Sequence, residues 1–473
     1  MRLKTIDFLY VTFILTTVFA YFNYYPLNVD STWILNSAHN ILAGSTLYKD
    51  IIDVNPPLIF MYACIPTFVA ELISVSRIYI YIIFVIFVIS VSAYLCFIIL
   101  LQYYKKQEDT IRYFLYSIIF ILTISVNYDF GQREHLFMIF VFPYILSLMY
   151  KDSITLSKNI LITIAIFASL GFNIKPHFFL IFIGIELIYM IHKKDILSIF
   201  RIDSIIISLS GFFYLIIIFV FFNEYINNTV PFAMATYSDV FNKSYLSLIM
   251  TFEIFLTLFI MIFWSIFTKK KIDLTIKVIF ISLIMSITIY LIQQKGWNYH
   301  KIPILCISLL FLTHLIFSLL KKDKSYSLAL FPLIFYIIYF NLQTVPKFKE
   351  LENIIHRLPF DQKIYIISTD IAQGQPLLKE NQIWTSRFPS LFMLPALLKN
   401  EKIESMQYTF DSLYEDFVNY KPDSIIFPRK EIGFDYYNYF TSKDVRLNKF
   451  YENYYTMSII SNYIILSKNK EYK

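Results

Sequence analysis

Glycine supplies only 8 of the 473 residues, cysteine 3, and Asp, Glu, Lys and Arg together 16%. Soluble domains carry about 25% charge. A chain that is 57% apolar cannot hide its side chains in one or two soluble cores, whereas a bilayer can accommodate them. There is no G-x-G-x-x-G and no P-loop, so nucleotide binding is unsupported. Cys64, Cys96 and Cys306 lie in separate apolar stretches without ligand spacing, which excludes a disulfide framework and a cysteine metal site. The formal charge of +7 does not point to nucleic acid, because Lys and Arg fall in short clusters between apolar runs. No internal repeat or low-complexity linker is present.

Phenylalanine (49) and tyrosine (38) are abundant. Apolar runs near 6–22, 78–104, 111–127, 135–150, 158–174, 177–192, 202–222, 246–268, 274–293, 302–320 and 326–343 predict an α-helical polytopic membrane protein with about eleven spans. The first run follows Arg2 and Lys4 and lacks a small-residue cleavage site, so it reads as a retained span. Cationic clusters mark alternate loops: Lys105-Lys106, Lys151 with Lys158, Lys193-Lys194 with Arg201, Lys269-Lys270-Lys271, and Lys321-Lys322 with Lys324. The positive-inside rule then puts these and the N-terminus in the cytoplasm, in a plasma (inner) membrane, and sends the tail outward. The run Leu58–Ile73 after Pro56-Pro57 is short for a span. It reads as an interfacial helix within one large outer loop, 23–77, whose first helix Asp30 would open as N-cap.

From about Thr344 the pattern changes. Helices are expected at Phe348–Arg357 and Phe410–Asn419, and strands at Lys363–Thr369, Ser424–Phe427 and in a pair around Tyr454–Ser467. This alternation predicts a transmembrane module over 1–343 and a small extracytoplasmic α/β domain over 344–473.

The opposite set of loops holds most of the distinctive chemistry. The first reads Asn28-Val29-Asp30, then Asp53-Val54-Asn55-Pro56-Pro57-Leu58; later come Gly131-Gln132-Arg133-Glu134-His135, Asn173-Ile174-Lys175-Pro176 and Lys295-Gly296-Trp297-Asn298-Tyr299-His300-Lys301-Ile302-Pro303. In this order the motifs resemble the GT-C superfamily of membrane glycosyltransferases. Over residues 1 to roughly 345 the chain is similar to protein O-mannosyltransferases and to bacterial aminoarabinose transferases acting on lipid A. Two departures stand out: Ser31 replaces the Glu that usually follows the first Asp in the aminoarabinose transferases, and Asn55 stands where the two groups have Lys or His.

The resemblance implies a GT-C-like fold and inverting transfer from a polyprenyl-phosphate sugar to a glycan, lipid or protein acceptor. Asp30, Asp53 and Glu134 are then the candidate catalytic carboxylates, with Asp30 as base. Lys175, Lys295, Arg133, His300 and Tyr299 are the candidate phosphate-binding residues. Such chemistry needs a carboxylate to take the acceptor's proton, cations for the departing phosphate and an apolar groove for the lipid. No cofactor is required outright, and a divalent cation is an open possibility with no recognisable ligand spacing. Plainer readings stand beside these: Asp30 capping a helix, Lys175 snorkelling from a helix end, Arg133 and Glu134 pairing locally, Asp53 ending a turn, and Arg387 as a surface residue. His39, His192, His314 and His356 read as structural. The alternative class is a transporter or lipid flippase. It fits less well, since few Gly or Pro break the spans and the notable charges gather at one face. A non-catalytic scaffold is a third reading.

Overall fold

The computed structural model describes residues 4–236, 242–267, 272–319, 348–359, 361–379, 382–394, 397–398, 403–429 and 435–469. In chain order the helices begin with α1 (Thr5–Tyr24), α2 (Val29–Leu42), α3 (Leu58–Leu72), α4 (Arg77–Tyr104) and α5 (Glu108–Thr123). There follow α6 (Arg133–Met149), α7 (Lys158–Phe172), α8 (Phe179–Lys193), α9 (Ile202–Phe221) and α10 (Val230–Thr236). Next come α11 (Tyr245–Ile249), α12 (Phe252–Phe267), α13 (Leu274–Gln293) and α14 (Ile302–Leu319). The last part holds α15 (Lys349–His356), β1 (Lys363–Ile366), α16 (Gln375–Lys379), β2 (Ile383–Trp384), α17 (Ile403–Tyr420) and β3 (Ser424–Pro428). It ends with α18 (Tyr436–Lys443), α19 (Val445–Tyr454), β4 (Tyr455–Ile460) and β5 (Tyr463–Lys468).

The chain is a helical, membrane-embedded protein. Among the described residues, six segments are long and apolar enough to cross a bilayer: Thr5–Phe22, Arg77–Tyr104, Pro176–Lys193, Ile202–Phe221, Leu274–Gln293 and Asn298–Ser318. Leu58–Leu72, Lys158–Phe172 and Phe252–Ile266 are shorter apolar helices. The count of eleven is therefore not reached by length and apolarity. One expected span, 246–268, divides into α11 and α12, and another, 326–343, lies outside the described residues together with Lys269-Lys270-Lys271 and Lys321-Lys322.

Two compact units emerge, and each gathers separate stretches of chain. The first joins 1–25, 81–217 and 241–344. At its centre every residue of α6 is buried. Gly171 permits the contact of α7 with α6, since a Cβ there would sit 3.1 Å from the Phe137 carbonyl oxygen and 2.8 Å from Phe140 Cβ. Near the start of the chain Asp7 accepts from Arg112 Nε at 2.8 Å and from the Tyr116 hydroxyl, tying α1 to α5.

The second unit joins 26–80, 218–240 and 345–473, so the stretch after the first helix belongs with the tail. Its five-stranded sheet runs β2-β1-β3-β5-β4, with β2, β1 and β3 parallel and β5 antiparallel to β3 and β4. Tyr365, Ile367, Leu413, Phe417, Ile425, Phe427, Phe440 and Leu466 fill its core. The expected helices and strands of the tail are all present, with α17 starting earlier than its apolar pattern implied. The stretch 26–80 is stitched to the sheet: Gln375 Nε2 donates to the Leu27 carbonyl at 2.8 Å and Asn36 Nδ2 to that of Trp384 at 3.2 Å. Trp33 meets Trp384 edge-on, with centroids 4.9 Å apart.

Asp444 caps α19, accepting from Arg446 N at 2.8 Å and pairing with its guanidinium at 2.7 Å. Burial alone would raise its carboxyl, but the Arg446 hydrogen bonds outweigh burial and hold it below the ordinary value. A depressed carboxylate stabilises the fold above its unfolded-state value near 4, and the contribution disappears as pH falls through the folded value. Asp444→Ala should lower stability by about 0.5–2 kcal/mol at pH 7 through loss of the cap, and Asp444→Asn, which keeps an acceptor, by less. Thermal unfolding of the full chain against pH checks this. The gap between wild type and Asp444→Asn should close in acid.

Candidate functional site

The turn leading into α6 is built to place Arg133 and Glu134. Gly131 has φ of +78°, a region other residues enter at a cost, and a Cβ there would lie 2.7 Å from the Tyr81 ring. The Tyr81 hydroxyl donates to the Gly131 carbonyl, and Gly131 N donates to His135 Nδ1 at 2.8 Å. His135 Nδ1 is therefore an acceptor, which leaves Nε2 to donate to the Leu122 carbonyl at 2.8 Å. Gln132 caps α6: its Oε1 accepts from Arg133 N and, at 3.0 Å, from Arg133 Nε. Glu134 stands in the first helical turn, where the helix dipole favours a carboxylate.

Lys175 reaches this carboxylate from the turn between α7 and α8. Its Nζ donates to Glu134 Oε1 at 2.5 Å, and both side chains are buried. A snorkelling lysine would present its ammonium to water; Lys175 is only 8% exposed, so that reading is corrected. His300 Nε2 lies 3.9 Å from the same glutamate oxygen. The Tyr299 ring has Arg133 Cζ at 5.5 Å and Lys175 Nζ at 5.7 Å from its centroid, within cation–π range. His300 packs edge-on to Tyr299 and lies within electrostatic reach of Lys175, Arg133, His177 and Lys295. Lys295 is buried and donates to Asn242 Oδ1 at 2.7 Å. The loop can bend here because Gly296 adopts φ of +65°.

Five residues expected at a phosphate site, Arg133, Lys175, Lys295, Tyr299 and His300, thus fall together with Glu134 in the first unit. Among these residues Lys175 pairs with Glu134, and Asp129, in the turn before α6, is buried as well. Among the described residues, Glu134 Oε2, His300 Nδ1, His177 Nε2 and Asn173 Oδ1 are buried without a hydrogen-bond partner. Buried polar groups left unpaired are uncommon in native interiors. His177 and Asn173 were not singled out from sequence; their signal was position, two residues either side of Lys175. Among the described residues, no three His, Cys, Asp or Glu side chains are grouped as metal ligands would be.

Asp30 and Asp53 belong to the second unit. The helix α2 is capped by Asn28, whose side chain accepts from Asp30 N at 2.9 Å. Asp30 lies in the first turn instead, so its reading as N-cap is corrected. Asp53 is buried and heavily engaged: Trp33 Nε1 donates to Oδ2 at 2.9 Å, while Asn55 N and Nδ2 donate to Oδ1 at 2.7 and 2.5 Å. It ties α2 to the turn before Pro56-Pro57, and Asn55 supplies two of those bonds. Arg387 is likewise no surface residue. Its Nε donates to the fully buried Asp416 at 2.7 Å, and burial holds the Asp416 carboxyl up at about 6 despite that guanidinium. His39, His192 and His314 each have structural partners in Glu71, Asp152 and Tyr150.

No model of a known protein family and no curated protein matches this sequence.

Removing one member of a buried ion pair costs about 3–5 kcal/mol because a charge is left uncompensated. Glu134→Ala should therefore destabilise the protein strongly, and adding Lys175→Met should recover most of the loss. A double-mutant cycle of thermal unfolding in detergent measures this; additive effects would show that the pair is not coupled.

Proposed function

We propose that this chain is a membrane glycosyltransferase that moves a sugar from a polyprenyl-phosphate donor to an acceptor at the outer face of the membrane, with inversion at the anomeric carbon. The observation that carries the reading is the buried cationic cluster of Arg133, Lys175 and Lys295, set around Tyr299 and His300. Buried like charges are costly and are kept where an anion is handled. A membrane protein with apolar helices also suits a lipid-linked donor.

In this mechanism an acceptor O–H or N–H attacks the anomeric carbon, and Asp30 takes its proton. The bond from that carbon to the phosphate oxygen breaks, and polyprenyl phosphate leaves with the electron pair. Lys175, Lys295 and Arg133, with His300 beside them, stabilise the charge that grows on the departing phosphate. Glu134 positions Lys175, and Asp53 holds the loop that carries Asp30. The alternation of Lys and Arg clusters supports a cytoplasmic N-terminus and an outward tail, with about eleven spans.

Because Lys175 also neutralises Glu134, Lys295 is the better probe of donor binding. Charge-assisted contacts to phosphate contribute about 1.5–3 kcal/mol, or roughly ten- to hundred-fold in rate. Lys295→Ala should lower turnover by that factor in reconstituted vesicles supplied with polyprenyl-phosphate sugars. Wild-type turnover in this variant would remove Lys295 from the mechanism. Asp30→Asn leaves the Asn28 cap in place, yet should lose about 10²–10⁴-fold in turnover if the carboxylate is the base. Near-normal turnover would end that assignment.

Orientation is tested by impermeant thiol labelling of intact cells, with Cys64, Cys96 and Cys306 replaced by Ser. A cysteine at exposed Lys443 should label and one at exposed Lys194 should not. The reverse pattern would invert the topology.

A further inference from the structure

We infer that Arg387 and Asp416 are positioning residues: through the Arg387 main chain they hold the loop segment that ends in Asp53. The functional consequence rests on the transferase reading above; the mechanical one does not. Arg387 follows β2, and Asp416 lies on α17. Asp416 Oδ1 accepts from Arg387 Nε at 2.7 Å, while Oδ2 accepts from Arg387 N at 3.2 Å and from the Tyr365 hydroxyl at 3.1 Å. The residue is thereby gripped by its side chain and its backbone N–H together. Its remaining backbone group, the carbonyl, accepts from Ile52 N at 2.7 Å. Ile52 is buried in the same core as Tyr365, Phe388 and Phe417, and Asp53 is the next residue.

The path is thus short and continuous: Tyr365 on β1, Asp416 on α17, the Arg387 main chain, Ile52, then Asp53 bonded to Trp33 of α2. Asp416 is fully buried, whereas Glu415, the other carboxylate on Arg387, is 60% exposed. An exposed partner contributes little, so the grip resides in Asp416. A buried carboxylate satisfied on both oxygens has one geometry in which it is tolerated, which makes the pair a rigid support for the loop. On this account the C-terminal domain takes part in the reaction by fixing the segment that carries the carboxylates, without touching substrate.

The test is hydrogen exchange of the full-length protein in lipid nanodiscs, alongside turnover. In Asp416→Asn, peptides covering Ile52 should exchange about five- to ten-fold faster, the loss of roughly one hydrogen bond. Peptides of β1 and β3 should be unchanged, kcat should fall about ten-fold or more, and KM for the donor should stay put. Arg387→Lys should retain part of the protection, and Glu415→Gln should match wild type. Unchanged exchange at Ile52, equal loosening of the whole sheet, or an undiminished kcat would each overturn the inference. If Asp416→Asn does not fold, Tyr365→Phe decides: it should speed Ile52 exchange without lowering the unfolding temperature appreciably, and no change would overturn the grip. A wild-type chain silent with every polyprenyl-phosphate sugar would defeat the transferase reading while the exchange measurements still decide the mechanical role.

Discussion

A lysine ammonium and a glutamate carboxylate buried against each other, Lys175 on Glu134, set the constraint around which the first unit is organised. Neither charge is tolerable alone in a low-dielectric interior. Their pairing forces the turn after α7 to meet the first turn of α6. The surrounding devices serve that meeting. Gly131 and Tyr81 shape the approach to α6, His135 is locked in one tautomer by Gly131 and Leu122, and Gly171 lets α7 lie close against α6. With the pair in place, Arg133, Tyr299 and His300 are brought within a few ångströms of one another.

The second unit uses the same physics with different residues. Two buried carboxylates, Asp53 and Asp416, are each satisfied by several donors, and each ties a distant part of the chain to its neighbour. Asp53 links α2 to the Pro56-Pro57 turn, and Asp416 fixes Arg387, whose carbonyl holds Ile52. A buried carboxylate that must be satisfied at every oxygen is a strong specifier of geometry. The sheet behind it is ordinary: three parallel strands extended by an antiparallel pair, with aromatic side chains in the core. Its relevance lies in what it holds.

Asn55 illustrates how a departure from a familiar motif is absorbed. Where the resembled transferases carry Lys or His, Asn55 turns inward and donates twice to Asp53, so that position serves the loop.

Local pattern determined a good deal. Apolar runs with at most one charged residue each placed α1, α4, α9, α13 and α14 to within a residue or two, since a helix in lipid must satisfy its own backbone. Short runs rich in Ile, Tyr and Phe placed β1, β3 and the final hairpin. The residues that gather around Tyr299 were legible as well, because buried or lipid-level charge is rare enough to stand out. Other features depended on contacts between residues far apart in the chain, and no local signal encodes those. Glu134 finds its partner 41 residues away, Arg387 finds Asp416 across 29, and Asn36 reaches Trp384 across 348. Only the folded chain could decide that the stretch 26–80 belongs with the tail, that Asn28 rather than Asp30 caps α2, and that an arginine expected at the surface is mostly covered. Composition and periodicity report what each segment must bury; which partner satisfies a buried polar group is chosen by the packing of the whole.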